Sequence, residues 1–156
     1  MSGIIGGAGS KSGVIGTTEL DYEVGTWDIT ITDSASGSMG VSSSYLTQSY
    51  IKIGNLVNAR GKIETTSETA GSGAWRFSLP FVATNLEDGG NYTSHSVFFY
   101  RTANTALYNP VAITSEGVSY FTCAYNNISN NEIISFDATS TDASMEMFFN
   151  ITYHTT

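Results

Sequence analysis

The chain has 156 residues, of which 40% are hydrophobic and 13% are charged, and its formal net charge is −8. This length fits one domain with a sizeable core, and the excess of acidic residues argues against nucleic acid as a partner, because binding a phosphate backbone requires clustered Lys and Arg. No run of the sequence approaches the roughly 20 apolar residues of a membrane span, so we expect no membrane insertion.

The first segment is unusually rich in glycine, with six glycines among residues 2–16. Glycine at this density loses too much backbone entropy on ordering to fold alone. We therefore expect an extended arm over residues 1–24, followed by one domain over residues 25–156. A disordered tail is the alternative, but two apolar pairs favour an arm that docks on a partner. Its candidate anchoring residues are Ile4, Ile5, Val14 and Ile15.

After the arm, strand patterns recur about every ten to fifteen residues, as in sandwiches and jelly rolls. Trp27, Ile29 and Ile31 alternate with polar residues, which is the period-two pattern of a strand buried on one face. Gly54 and Asn55 lie between two apolar runs and predict a two-residue hairpin turn, since glycine supplies a positive φ. The predicted strands cover residues 26–32, 45–53, 56–65, 74–79, 96–102, 111–114, 119–125, 132–137 and 145–154. The sequence therefore predicts an all-β fold, an antiparallel β-sandwich of jelly-roll type.

The last predicted strand has the clearest alternation. One face carries large apolar side chains, namely Met145, Met147, Phe149, Ile151 and Tyr153. The opposite face is polar except for Phe148. An aromatic residue at that position indicates either a subunit contact or a local packing patch, and the sequence leaves both open.

Four short segments occur in a characteristic order along this domain. They are GTWDITIT at residues 25–32, SYIKIGNLV at 49–57, LPF at 79–81 and FNITY at 149–153. Their order and wording resemble a module of bacteriophage tail-fibre and virion-surface proteins. The chain departs from the family pattern at Asp28 and Ile29, where the family usually has Thr-Pro.

The resemblance implies a structural protein at the virion surface that forms a homotrimer. Its arm would be held by another virion protein of the capsid or tail, and its domain would contact host-surface carbohydrate. Phe98, Tyr100 and Phe148 belong to a surplus of aromatic residues, and we expect them at the subunit interface, because large apolar surfaces normally mark interfaces. The alternatives are a capsid decoration protein that stabilises the head and a free lectin-like carbohydrate-binding module.

Residue combinations typical of catalysis do not occur in the sequence. Its two histidines and its one cysteine, Cys123, form no metal-ligand spacing, and neither a nucleophile elbow nor a phosphate-binding loop occurs. We therefore expect no enzymatic activity, no metal and no cofactor. For a lectin-like site the candidates are tyrosines beside asparagine, Tyr92, Tyr108 and Tyr125, although a tyrosine that caps a strand end is the commoner explanation.

Overall fold

Eleven β-strands make up most of the computed structural model, which describes residues 21–69, 71–86, 89–102, 108–127, 132–138, 141 and 143–156. No α-helix occurs within these ranges. The strands are β1 (Tyr22–Asp28), β2 (Ile31–Asp33), β3 (Ser38–Val41), β4 (Thr47–Ile53), β5 (Leu56–Thr69), β6 (Trp75–Ser78), β7 (Thr93–Tyr100), β8 (Tyr108–Thr114), β9 (Tyr120–Asn127), β10 (Glu132–Ser135) and β11 (Glu146–His154).

The strands pair antiparallel throughout, and the pairing path closes on itself. It runs β5-β11-β7-β8-β9-β6-β2-β3 and returns from β3 to β5, which makes a barrel of eight strands. The paired strands β4 and β1 extend the sheet from β5, and β10 adds to β9. The predicted all-β antiparallel class is confirmed. The two-sheet jelly-roll sandwich is not confirmed, because the β3–β5 pairs join strands that would lie in separate sheets of a sandwich.

Two strands change partners along their length and form the corners of this barrel. One edge of β5 pairs with β4 over its first residues and with β3 near its end, where the register shifts at Gly40 and Val41. Likewise, β7 pairs with β8 at its start and with β11 at its end. A strand that passes between two sets of partners turns the sheet through a corner. The outer surface of β1-β4-β5-β11-β7 therefore forms one continuous face, called the outer face below.

The structure divides the first predicted strand, over residues 26–32, into β1 and β2. Ile29 and Thr30 separate the two where the chain crosses from β4 to β6 as its partner. β1 begins at Tyr22, ahead of the predicted domain start at Gly25, and β3 was not among the predicted strands. The arm residues Ile4, Ile5, Val14 and Ile15 lie outside the described residues.

The predicted hairpin turn at Gly54 and Asn55 is present. Ile53 and Leu56 form the last pair between β4 and β5, and Gly54 has a φ of 59°. A positive φ at the first central residue alone is the pattern of a type II′ turn, whose twist matches that of the flanking strands. This turn fixes the register along the whole β4–β5 pair.

Aromatic rings from several strands fill the barrel interior. The predicted inward face of β11 is confirmed, since Met145, Met147, Phe149, Ile151 and Tyr153 are all buried. Phe121 stacks on Phe77 with 5.1 Å between ring centroids and lies 5.4 Å from Phe149. Cys123 is buried, and burial raises the pKa of its thiol well above its ordinary range.

The four segments that carry the phage-fibre resemblance meet in one place. The ring centroids of Trp27 and Tyr50 are 6.4 Å apart, and Tyr50 makes an edge contact with Phe81 at a centroid distance of 5.0 Å. The Tyr153 hydroxyl accepts the Phe81 N–H and donates to the Phe81 carbonyl, both at 3.2 Å. Gly25 lies under the Tyr50 ring, where a Cβ would come within 2.5 Å of Cζ. Each segment thus supplies one aromatic side chain to the same packing cluster. The first segment also supplies Gly25, whose lack of a side chain leaves room for the Tyr50 ring.

A buried carboxylate holds the β2–β3 turn. Asp33 accepts hydrogen bonds from the backbone N–H groups of Ala35 at 2.8 Å, Gly37 at 2.7 Å and Gly73 at 3.3 Å. Burial alone would raise the pKa of Asp33, but these three donors and the nearby positive charge of Arg76 outweigh it and lower that pKa.

Candidate functional site

An aromatic patch lies at the β7–β11 end of the outer face. Phe148 is directly opposite Phe98 in the strand register, and their ring centroids are 6.1 Å apart. Tyr100 is the next residue of β7 on the same face. The exposed fractions are 61% for Phe98, 53% for Tyr100 and 44% for Phe148. The structure thus brings together the three residues that the sequence analysis assigned to a subunit interface.

Charged groups border this aromatic patch. Glu146 is almost fully buried between Lys62 Nζ at 2.6 Å and an Arg101 guanidinium nitrogen at 3.3 Å. The hydrogen bond from Lys62 lowers the pKa of Glu146 and raises that of Lys62. Lys62 Nζ also lies 4.2 Å from the ring centre of Tyr45 and 5.6 Å from that of Phe148. Lys62 and Arg101 together more than compensate the Glu146 carboxylate, so the three groups carry a single net positive charge at the border of the patch.

A second apolar patch, the hairpin patch, occupies the other end of the outer face. In the strand register Tyr22 is opposite Ile53, which is opposite Leu56, and Val24 is opposite Ile51. All except Ile51 are exposed. This patch was not predicted from the sequence, although the predicted Gly54-Asn55 turn fixes the register that assembles it.

An open groove lies between the hairpin patch and the aromatic patch. It has a volume of about 240 Å³ and forms where β4 separates from β5 beyond the pair Ser49 and Arg60. The side-chain amide of Gln48 spans the gap and donates to the carbonyls of Tyr45 at 2.5 Å and Lys62 at 3.0 Å. The groove is lined by Thr26, Ser44, Tyr45, Thr47, Gln48, Ser49, Arg60, Gly61 and Lys62.

This groove was not predicted from the sequence either. Two cations lie two residues apart at positions 60 and 62 of the predicted strand, which was a usable signal. The separation of β4 from β5 was not predictable, because it depends on Gln48 packing against Gly61. A side chain at Gly61 would overlap Gln48 Oε1.

The three candidate ligand-binding tyrosines are not brought together. Tyr92 and Tyr108 are exposed at opposite ends of the β7–β8 pair. Tyr125 is only 5% exposed and belongs to the core, because β9 continues through Asn126 and does not end in a loop there. Tyr125 is therefore removed from the candidate surface residues.

Other chemistry in the described part of the chain is limited. No group of His, Cys, Asp and Glu residues among these positions could hold a metal ion. The half-buried His95 has its pKa lowered by burial, and one of its ring nitrogens lies 2.7 Å from the Thr93 hydroxyl. No helix in the described residues is long and apolar enough to span a membrane.

No family model, curated protein or solved structure matches the chain. The function proposed below therefore rests on the geometry of the outer face and on the order of the four sequence segments.

Proposed function

We propose that this chain is a non-enzymatic structural protein of a bacteriophage virion, a homotrimeric surface projection such as a short fibre of the tail or head. Its N-terminal arm anchors it to another virion protein, and its barrel contacts host-surface glycans. The order of the four segments that resemble phage-fibre modules supports this proposal. Their convergence on Trp27, Tyr50, Phe81 and Tyr153 explains physically why these residue types occur together.

The observation that carries the proposal is the aromatic patch of Phe98, Tyr100 and Phe148. Three large rings on adjacent strands are exposed together, and contiguous apolar surface of this kind normally marks an interface. In a homotrimer the patches of the three subunits can contact one another around the threefold axis, so a single patch per subunit is enough to form the interface. Lys62 and Arg101 compensate the buried charge of Glu146 beside that contact.

The test is the position of the protein in an intact particle. Cryo-electron microscopy of purified phage that carries the protein should show trimeric density of its size projecting from the tail or head. Density spread over the capsid lattice would support a decoration protein instead. Absence of the protein from purified particles would overturn the virion assignment.

A further inference from the structure

The groove between β4 and β5 has the composition of a binding site for a charged, hydroxyl-rich ligand. Its lining combines four hydroxyl side chains, the Gln48 amide, the Tyr45 ring and two cations, Arg60 and Lys62. Binding sites typically fix a ligand with a few well-placed polar groups beside an apolar wall. The volume of about 240 Å³ is below the range of sites that enclose a drug-sized molecule. It suits one ring of a longer chain that continues over the surface.

Arg60 differs from the other cations of the described residues. Lys52 pairs with Asp21 at 3.1 Å, Lys62 and Arg101 pair with Glu146, and Arg76 lies 4.8 Å over the Tyr120 ring. Within the same part of the chain, Arg60 has neither a carboxylate at ion-pair distance nor an aromatic ring beneath it. Arg60 is exposed in a protein whose formal net charge is −8.

The cross-strand neighbours of Arg60 are uncharged and polar. Thr26, Ser49, Arg60 and Asn150 follow one another across β1, β4, β5 and β11 in the strand register. The side-chain oxygen Oδ1 of Asn150 already accepts a hydrogen bond of 2.7 Å from the side-chain amide of Asn58. A guanidinium presents a planar pair of donors that matches a carboxylate, and flanking hydroxyls suit the hydroxyls of a sugar ring.

We propose that this groove binds an acidic saccharide, with Arg60 pairing to the carboxylate of a uronic-acid ring and the hydroxyl side chains contacting that ring. The inference deepens the proposed host contact and rests on it, because it names the class of glycan and the place where it binds. Lys62 lines the same groove but is already paired with Glu146, so Arg60 supplies most of the attraction for the carboxylate.

The test is an NMR titration of the ¹⁵N-labelled full-length protein with trigalacturonate, with the uncharged sugar maltotriose and with sodium sulfate. Trigalacturonate should shift the backbone amides of residues 44–49 and 60–62. Maltotriose and sulfate should each bind at least about tenfold more weakly. The affinity for trigalacturonate should also fall as salt is raised, because the Arg60 pair is exposed and screened.

Arg60→Gln should weaken trigalacturonate binding at least about tenfold. The matched control is Arg76→Gln, which removes the same charge from β6, where Arg76 borders a different polar groove of about 140 Å³. That control should change the affinity less than about twofold. The amide spectrum of each variant checks that the fold is retained, and Arg60 is exposed, so its replacement leaves the core intact.

Absence of trigalacturonate binding, or equal binding by Arg60→Gln, would overturn the proposal. Equal binding of maltotriose would overturn the role of the carboxylate, and equal binding of sulfate would reduce the groove to a general anion site. Sedimentation of the same samples separates this inference from the proposed function. A trimer that does not bind trigalacturonate would overturn the saccharide site and leave the trimeric state intact. A monomer that binds trigalacturonate would overturn the trimeric state and leave the saccharide site intact.

Discussion

Phe148 and Phe149 are adjacent in β11 but have opposite environments. Phe149 is 5% exposed and packs against the rings of Trp27 and Phe121, with ring-centroid distances of 6.2 Å and 5.4 Å. Phe148 points outward to Phe98. Successive side chains of a strand point to opposite faces. Substitutions at Phe149 and at Phe148 therefore test core packing and surface contacts separately.

Phe149→Ala should lower the free energy of unfolding by about 3–5 kcal/mol, because it leaves a cavity among the core rings. Urea denaturation, followed by fluorescence or circular dichroism, measures this. Phe148→Ala is the matched control and should cost less than about 1 kcal/mol at concentrations where the protein is monomeric. Similar losses from both variants would contradict the assigned faces of β11.

Asp33 should make stability depend on pH in a defined direction. Its pKa is lowered in the folded protein, below the ordinary value of about 3.9. The ionised carboxylate therefore contributes stability that is fully present above about pH 4 and is lost as pH falls through the folded-state pKa.

Asp33→Asn should consequently unfold at a lower urea concentration than the wild type at pH 7, and the difference should narrow towards about pH 2. Midpoints measured at several pH values check this. Asp28→Asn is a suitable control, since Asp28 is exposed and its carboxylate accepts a side-chain hydrogen bond from Thr47. A difference that is constant with pH would show that the Asp33 charge is not involved.

At the scale of elements, the β1–β4 strand pair depends on a glycine opposite an aromatic ring. Gly25 pairs with Tyr50, and the ring covers the space that a side chain at Gly25 would occupy. The Tyr50 hydroxyl donates to the Glu23 carboxylate, which holds the ring in that position and raises the pKa of Tyr50. Covering a strand glycine with a cross-strand aromatic ring stabilises the pair and fixes its register.

Gly25→Ala should therefore cost about 1–3 kcal/mol, the usual cost of overpacking. It should also speed amide exchange in β1 and β4 more than in β8 and β9, which are remote from the substitution. Thr26→Ala, on the exposed face of the same strand, should cost less than about 1 kcal/mol. If Gly25→Ala were neutral, the ring could move without loss and the packing argument would fail.

The sequence predicted elements where local pattern decides them and failed where distant contacts decide them. Alternation over residues 145–154 predicted the buried face of β11, and Gly54-Asn55 predicted the β4–β5 turn. Inward and outward side chains keep alternating through Ile29 and Thr30, so nothing local shows that the chain changes partners there. Closure of the barrel depends on β3, whose four residues are too short for a period-two signal.

The candidate surface divides in the same way. Phe148 was singled out because it interrupts the polar face of its strand, and Phe98 and Tyr100 because they belong to a surplus of aromatic residues. Tyr125 was misassigned because the following asparagines suggested a loop, whereas β9 extends to Asn127. The groove beside Arg60 depends on how Gln48 packs across the β4–β5 gap, a tertiary contact that no local sequence pattern encodes.

At the scale of the whole molecule, closure of the barrel determines which surface is left for association. The eight-stranded path pairs β3 with β5 and so leaves no open edge between them. In the described residues, β1 pairs with β4 along one side, and β10 with β9. Exposed apolar side chains are grouped on the outer face, in the aromatic patch and the hairpin patch, whereas the most exposed one, Ile133 at 76%, lies on β10. Contiguous apolar surface normally marks an interface, so we expect association through the side chains of one of these patches.

The protein should sediment as a trimer of about 50 kDa at micromolar concentration, three times the monomer mass of 16.7 kDa. Combined Phe98→Ser and Phe148→Ser substitutions should convert it to a monomer with an unchanged circular dichroism spectrum. Each buried Phe contributes about 1.5–3 kcal/mol, and a threefold ring repeats that contribution in every subunit. The matched control, Tyr22→Ser with Val24→Ser, removes the same kind of exposed apolar area from the hairpin patch and should leave the trimer intact. Dissociation by the control alone would place the subunit interface at the hairpin patch, and a wild-type monomer at these concentrations would exclude the trimer.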